Sequence, residues 1–461
     1  MAVEGDWPDS FTLNRWVKDR VDHQESPSAV LARFERWPTW MWANHEVARF
    51  AAWQRDHNRS TNGDTGFYGL DVYSLWDSLR AVLAYLEEHH PEDLEAARVA
   101  VRCFEPYHED PQTYARATRG LVPASCEDEV IDLLVQLRAA AATVDGDPEE
   151  RFNAEQNAEV AAGAERYYRA MIRADGESWN VRDCHMADTL DRLMERHGPD
   201  AKAIVWEHNT HVGDARATDM ARAGMVNVGQ LVRERHGEAD VVLIGFAGHH
   251  GTVIAADFWG APMRRMPVPP APPGTHEDLL QQATSGSSVL VFPHDRGTPW
   301  LTKTRGHRAI GVVYRPSADP HGNWVPTVMG GRYDALLSFD TTEALHPLQG
   351  AATRRPASWK PSPGPPDRPR QQFAFARYLA RYQLGLTGGF VAALNIRPVH
   401  DVPHGVEELG LSVLVLQVVG VLPSVDGKQR DRSLTVIALM IMDLLDDQPC
   451  RDRFPRQQRP A

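Results

Sequence analysis

The sequence predicts an α/β protein built on a central, mostly parallel sheet, with helices on both faces and a large helical lid insertion. Three observations carry that expectation. Short apolar, β-branched runs recur at 203–206, 241–245, 289–292, 309–314 and 335–339, the length and character of strands buried on both faces. Helical stretches separate such runs, as at 183–196 and 226–235, which flank the first. The block from 74 to 172 is patterned as a succession of helices, so it reads as an insertion between strands.

In chain order, Met1-Ala2-Val3 followed by Glu4-Gly5-Asp6-Trp7 reads as the last step of a buried strand and its exit loop. From 11 to 58 the text is helical and rich in aromatics. Trp37-Pro38-Thr39-Trp40 breaks one helix, and Thr39 is the expected N-cap of the next. That helix presents Trp42, Val47, Phe50 and Trp53 at near-helical spacing, a stripe that suits a core or the apolar wall of a cleft. A strand is expected at 66–73, with Asp71 near its end as a site acid or a turn former. Helices follow at 74–88 and 91–104, from Ser125 with Val130, Leu133, Leu134 and Leu137 along one face, and at 148–172. Arg182-Asp183 opens the next helix. Asp183 is placed there as an N-cap, and Arg182 either orients a carboxylate or makes a surface ion pair.

The run 203–206 stops abruptly at Glu207, His208, Asn209 and His211, and Gly213 and Asp214 close the turn. Ligands of open α/β sheets sit just beyond the carboxyl ends of the strands, so chemistry is expected here. His208 and His211 lie three residues apart where the chain leaves the sheet, and can share a pocket. Histidine is the natural general base near neutral pH. The run 241–245 ends in a glycine-rich segment with His249 and His250, two further loop candidates. Its glycines do not form a dinucleotide-binding fingerprint. Residues 268–274 are a proline-rich connection.

The chain has 461 residues, enough for two or three domains. Residues 1–348 read as one domain, with a lid at about 74–172. Residues 349–372 are packed with Pro and Arg and read as a linker. A separate tail follows at 373–461, whose apolar runs at 411–422 and 434–445 are too short to cross a bilayer. The abrupt Pro/Arg bias is what a shift of reading frame near Gln349 would produce.

With 62 acidic against 49 basic residues the net charge is −13, which argues against a nucleic-acid or anionic-membrane surface. No basic segment followed by an apolar one opens the chain, so a cytoplasmic protein without a secretory signal is expected. Cys103, Cys126, Cys184 and Cys450 are scattered. Small buried thiols are expected, rather than a zinc ribbon or a disulfide framework.

The run from Trp206 to Asp214 resembles a signature of the erythromycin esterase family. Other blocks agree in the same order: Glu4-Gly5-Asp6-Trp7-Pro8, Trp40-Met41-Trp42, Gly66-Phe67-Tyr68-Gly69-Leu70-Asp71, Arg182-Asp183, and His307-Arg308-Ala309-Ile310-Gly311-Val312-Val313-Tyr314. The resemblance spans about 2–348. It implies an erythromycin esterase-like fold with the helical insertion over the active-site cleft. It also implies a hydrolase, associated with antibiotic resistance, that cleaves an ester or macrolide lactone by histidine-activated water, with no cofactor and no catalytic metal.

Carried over by motif, Glu4, His208 and His211 are the expected catalytic residues. Glu4 would hold or polarise a histidine or the water, and the histidines would orient the carbonyl or stabilise the oxyanion. Asp71, Arg182 and Glu207 are expected to bind substrate. The expected partner is a small-molecule ester or macrolide, with neither nucleic acid nor membrane.

One departure stands out. In the family an earlier strand ends in Gly-Glu-x-x-His, which carries the histidine that activates water, and no such segment occurs in this sequence. A truncated start or a degraded gene is therefore expected. Two further readings stay open. One is an inactive or ligand-binding remnant without the base. The other is a metal-dependent hydrolase in which Glu4, Glu207, His208 and His211 supply ligands around one open position. No Gly-x-Ser-x-Gly occurs, so a serine nucleophile is not expected and water is the nucleophile that remains.

Overall fold

The computed structural model describes residues 1–348, apart from 22–24, 119–124, 142–146, 172–175, 285 and 293–296, together with 394–396 and 416–418. The expected linker at 349–372 lies outside the described residues, as does the tail except for two short strands. These, Leu394–Ile396 and Leu416–Val418, pair antiparallel within a small unit of their own.

The fold is α/β with parallel strands. Strand β1 (Ala2–Asp6) lies between β2 (Tyr68–Asp71) and β3 (Val205–Trp206) in a parallel sheet of three. All five residues of β1 are buried, because strands cover both its edges and helices cover both its faces. Val3 packs with Leu13, Trp16 and Val47 on one face, while Ala2 packs with Met186, Leu190 and Val232 on the other.

A second sheet holds β4 (Ile244–Ala255), β5 (Arg264–Val268), β6 (Ser288–Val291) and β9 (Ala335–Thr342) in the order β5-β4-β9-β6. Its centre, β4 with β9, is parallel, and both edges are antiparallel. Strands β7 (Arg305–Arg308) and β8 (Trp324–Thr327) form a separate antiparallel pair.

One side chain stitches the two larger sheets together. Asn209, just past β3, donates from Nδ2 to the Phe246 carbonyl at 2.6 Å and accepts the Phe246 N–H at Oδ1 at 3.0 Å. The amide thus makes the two bonds that a neighbouring strand would make along β4.

The insertion is helical as expected. Leu75–His89, Leu94–Phe104, Pro111–Ala117, Glu127–Ala141 and Pro148–Met171 surround one core containing Leu79, Val82, Phe104, Val130, Leu133 and Leu137. The tryptophan stripe is largely core: Trp42 is buried edge-on against Phe67 and Trp206, at 6.0 and 5.4 Å. Among the described residues no helix is long and apolar enough to cross a membrane.

Several expectations are corrected. Thr39 opens only a short 3₁₀ turn; the long helix His45–Thr61 is capped by Asn44, whose side chain accepts the Val47 N–H. Asp183 lies inside Glu177–His197 rather than at its start, and accepts the first N–H of the next long helix, that of Val228, at 3.2 Å. It caps a helix, but not its own. His249 and His250 sit within β4, whose ladder with β9 runs on to Thr342, so they are not loop histidines. Residues 309–314 are not a strand: Ala309 still donates to the Asn323 carbonyl just past the β7–β8 pair, and beyond it one parallel bridge, Val313 with Ala256, forms.

The cysteines also differ from expectation. Cys103 and Cys126 form a disulfide with Cα atoms 5.9 Å apart. It joins the end of Leu94–Phe104 to the start of Glu127–Ala141, elements that tertiary packing brings together and that no Cys-x-x-Cys spacing announces. The bridge closes a separation of 23 residues, for which chain entropy gives about 3 kcal/mol. Cys103→Ser with Cys126→Ser should therefore lower the urea-unfolding free energy by about 3 kcal/mol. An unchanged midpoint would mean that the bridge does not constrain the unfolded chain.

Candidate active site

The carboxyl ends of three parallel strands converge on one buried polar cluster. β1 supplies Glu4, β2 ends in Asp71, and β3 runs into Glu207 and His208. A single helical turn, Asn209–Val212, follows and carries His211. Helix Glu177–His197 crosses these ends and presents Trp179, Arg182 and Asp183, spaced three and four residues apart on one face. All seven of these polar residues and Trp179 are buried.

Arg182 is the hub. It donates to both oxygens of Asp71 at 2.9 and 2.7 Å, to Glu4 Oε1 at 2.9 Å, and approaches His211 Nε2 at 2.9 Å. Its guanidinium lies 5.0 Å from the centroid of the Tyr73 ring, which also has the Arg36 guanidinium at 4.8 Å. Burial opposes charge on Asp71, but Arg182 outweighs it and holds the carboxyl at about 2. Burial likewise opposes charge on Glu4, and His211 with Arg182 overcomes it and lowers its pKa.

The two histidines are held in different ways. His208 caps the turn that follows it: Nδ1 accepts the Thr210 N–H at 3.3 Å, which leaves Nε2–H to donate to the Ile310 carbonyl at 3.1 Å. Its own N–H donates to Glu4 Oε2 at 2.9 Å. Burial drives the imidazole down to about 3, so it is neutral.

His211 stacks on Trp179, with centroids 4.7 Å apart and planes within 6°. Arg182 carries fixed donor protons, so His211 Nε2 accepts from it and Nδ1–H donates to Asp183 at 2.8 Å. Burial disfavours a charged ring, but Asp183 and Glu4 outweigh it and raise the pKa. Glu4 Oε1 stands 3.5 Å from Nε2, ready to receive a proton placed there.

Glu207 is different again. Both of its carboxylate oxygens are buried without a hydrogen-bond partner among the described residues. Burial, with Glu4 and Asp183 adding to it against His211, pushes its pKa up to about 8. Glu4 and Asp71 already share the guanidinium, and Asp183 takes His211, so Glu207 finds no cation of its own and its negative charge is the one the cluster sheds.

The structure therefore brings Glu4, Asp71, Arg182, Glu207, His208 and His211 together, as the sequence expected of its site candidates. It does not bring in His250, which meets Thr341 and Asp340 on β9 instead. Sequence reasoning missed Asp183 as the partner of His211, and Trp179 as its stacking platform. The signal was present in the Trp179–Arg182–Asp183 spacing, one face of a helix directly before the central strand. As for metals, the convergent ligand groups among the described residues are Cys103, Cys126 and Glu129, and His90, Glu92 and Asp93. The first pair of thiols is already joined as a disulfide.

The raised pKa of Glu207 has a sign that can be checked. Between its ordinary value of 4.5 and about 8, the folded chain holds a proton that the unfolded chain releases. Relative to Glu207→Gln, stability should fall by up to ~1.4 kcal/mol per pH unit across that window and level off above it. Urea unfolding of both chains from pH 4 to 9 measures this. A pH-independent difference would place a carboxylate, not a carboxylic acid, at Glu207.

The erythromycin esterase family profile matches residues 1–342. A mutant of the erythromycin esterase EreC, solved in its open conformation, is 17% identical with a TM-score of 0.52, covering 75% of this chain and 83% of that one. A succinoglycan biosynthesis protein is 18% identical with a TM-score of 0.56, covering 75% and 80%. A Bacillus cereus protein is 17% identical with a TM-score of 0.57, covering 76% and 81%. At such identities the structures speak for the fold, while the profile spans most of the chain. The protein belongs to the erythromycin esterase family.

Proposed function

We propose that the chain hydrolyses a carboxylic ester or macrolide lactone, using water activated by histidine. The observation that carries this reading is the buried relay Asp183–His211, with Arg182 and Glu4 both at Nε2. A histidine whose Nδ1–H is fixed by a carboxylate keeps its one lone pair at Nε2, the arrangement a proton acceptor needs, and here Arg182 donates to it.

In this reading a water takes the place of Arg182 Nη1 at His211 Nε2. Its oxygen adds to the carbonyl carbon while its proton passes to Nε2. Glu4 faces the imidazolium that results. His208, neutral and with its Nε2–H already a donor, turns that bond from the Ile310 carbonyl to the developing oxyanion. The carbon–alkoxy bond then breaks, and the proton moves from His211 to the departing oxygen. Asp71 and Arg182 position the acyl group, and Glu207 offers a protonated carboxyl to the substrate.

Water activation by histidine is favoured over metal ligation on one ground. Among the described residues, the groups whose ligand atoms converge lie elsewhere, so Glu4, Glu207, His208 and His211 do not present four ligand atoms to a common point. A bulky, apolar lactone is the substrate class that the family supports.

The test is incubation with erythromycin and mass spectrometry for the gain of one water. Turnover by the chain as it stands supports the reading. Binding without turnover would leave the remnant reading in its place. His211→Gln should lower kcat by about 10²–10⁴-fold, and Asp183→Asn should lower it by less while shifting the acidic limb of the pH profile. His208→Ala should abolish turnover in a chain that still folds. Full activity in that well-folded variant would remove His208 from the site.

A further inference from the structure

A cavity of about 510 Å³ opens on the opposite side of helix Glu177–His197 from the polar cluster. Three helices of the described chain wall it: Glu127–Ala141, Pro148–Met171 and Glu177–His197 itself. On that last helix the cavity face is Val181, Cys184, His185, Asp188 and Arg192, whereas Arg182 and Asp183 point the other way into their buried bonds. The volume is that of a site for an organic molecule of drug-like size.

The lining settles what kind of molecule fits. Val130, Ala162, Gly163 and Val181 give it apolar wall, and Ile131 stands at its edge 45% exposed, one of the larger exposed hydrophobic side chains. Gly163 is there for space: a Cβ would come within 2.5 Å of His185 Nδ1. His185 itself is buried, and its Nε2 has no hydrogen-bond partner among the described residues. The acids of the lining are already engaged. Glu127 and Glu165 pair with Arg169, Glu159 with Arg138 and Arg192, and Asp188 with Arg235, while Glu177 also has a partner. Arg166, exposed and lining the same cavity, has no ion pair or hydrogen bond among the described residues.

We propose that this cavity binds an amphipathic organic anion, a medium-chain carboxylate, with its chain against Val130, Ala162 and Val181 and its head group on Arg166. The apolar strip of Val130, Ala162 and Val181 runs through a lining whose acids are already paired, and one guanidinium without an ion-pair partner stands at its edge, which favours one negative charge on an apolar body. A cation would meet carboxylates that already have partners. The ligand would rest on the reverse face of the helix that carries Arg182, and its site is separate from the hydrolytic reading above, so either can fail alone.

Cys184 provides the test. It is the one free cysteine among the described residues and lines the cavity. In the full chain carrying Cys450→Ser, alkylation of Cys184 by neutral iodoacetamide is followed by mass spectrometry with increasing dodecanoate. Dodecanoate should slow alkylation saturably, and Arg166→Glu should raise the half-protecting concentration about tenfold or more. Dodecan-1-ol, which has the chain without the charge, should protect less well and equally in both chains. Ala162→Trp, which fills the cavity, should remove protection in a chain whose circular dichroism is unchanged. No protection at about 1 mM dodecanoate, weaker than any useful site, would overturn the proposal. So would protection that Arg166→Glu leaves unaltered, because the anion would then be elsewhere.

Discussion

The rest of the structure depends on a single buried cation. Arg182 reaches Asp71 at the end of β2, Glu4 on β1 and His211 beyond β3, so one guanidinium ties together the ends of all three parallel strands. The planar fork is what makes this possible, since a lysine ammonium could not hold Asp71 through two parallel bonds and still reach two further partners. Such a group also constrains everything around it. Removing one partner from a buried charge pair typically costs about 3–5 kcal/mol, because the other is left uncompensated. The cluster is therefore a structural clamp as well as a chemical one.

Each of the other polar groups takes its character from that clamp. Glu4 and Asp71 stay ionised because the guanidinium faces them, and Glu207, which gains no such partner, is pushed towards the neutral form. His208 and His211 are three residues apart in the chain, yet burial leaves the first neutral while two carboxylates raise the second. Two imidazoles with opposite tendencies in one site is the pattern expected where one serves as donor and the other as proton acceptor.

Much of this was legible in the sequence, and for identifiable reasons. The strands at Ala2–Asp6, Tyr68–Asp71 and Val205–Trp206 are apolar runs that stop at polar residues, so the convergence of Glu4, Asp71, Glu207 and His208 follows from the rule that sites lie at strand ends. Four of the helices of the insertion were visible from periodicity and capping residues, whereas the short Pro111–Ala117 was not expected. What local pattern could not show is pairing between distant segments. Cys103 and Cys126 meet only because two helices of the insertion pack, and Asp183 looked like a cap of its own helix because its true partners, His211 and Val228, lie 28 and 45 residues away. Likewise the sequence 309–314 is strand-like in composition, but it meets only Ala256, through a single bridge.

The seam between the two larger sheets has a spectroscopic consequence. A backbone amide in the middle of a sheet normally exchanges its hydrogen with solvent only when strands part. The Phe246 amide is held on this side by the Asn209 carboxamide, and a side chain can release it by rotating about two bonds. Deuterium uptake at Phe246 therefore registers a rotamer change of Asn209 rather than unfolding of β4. It is a built-in clock for the junction next to His208, on a timescale set by one side chain.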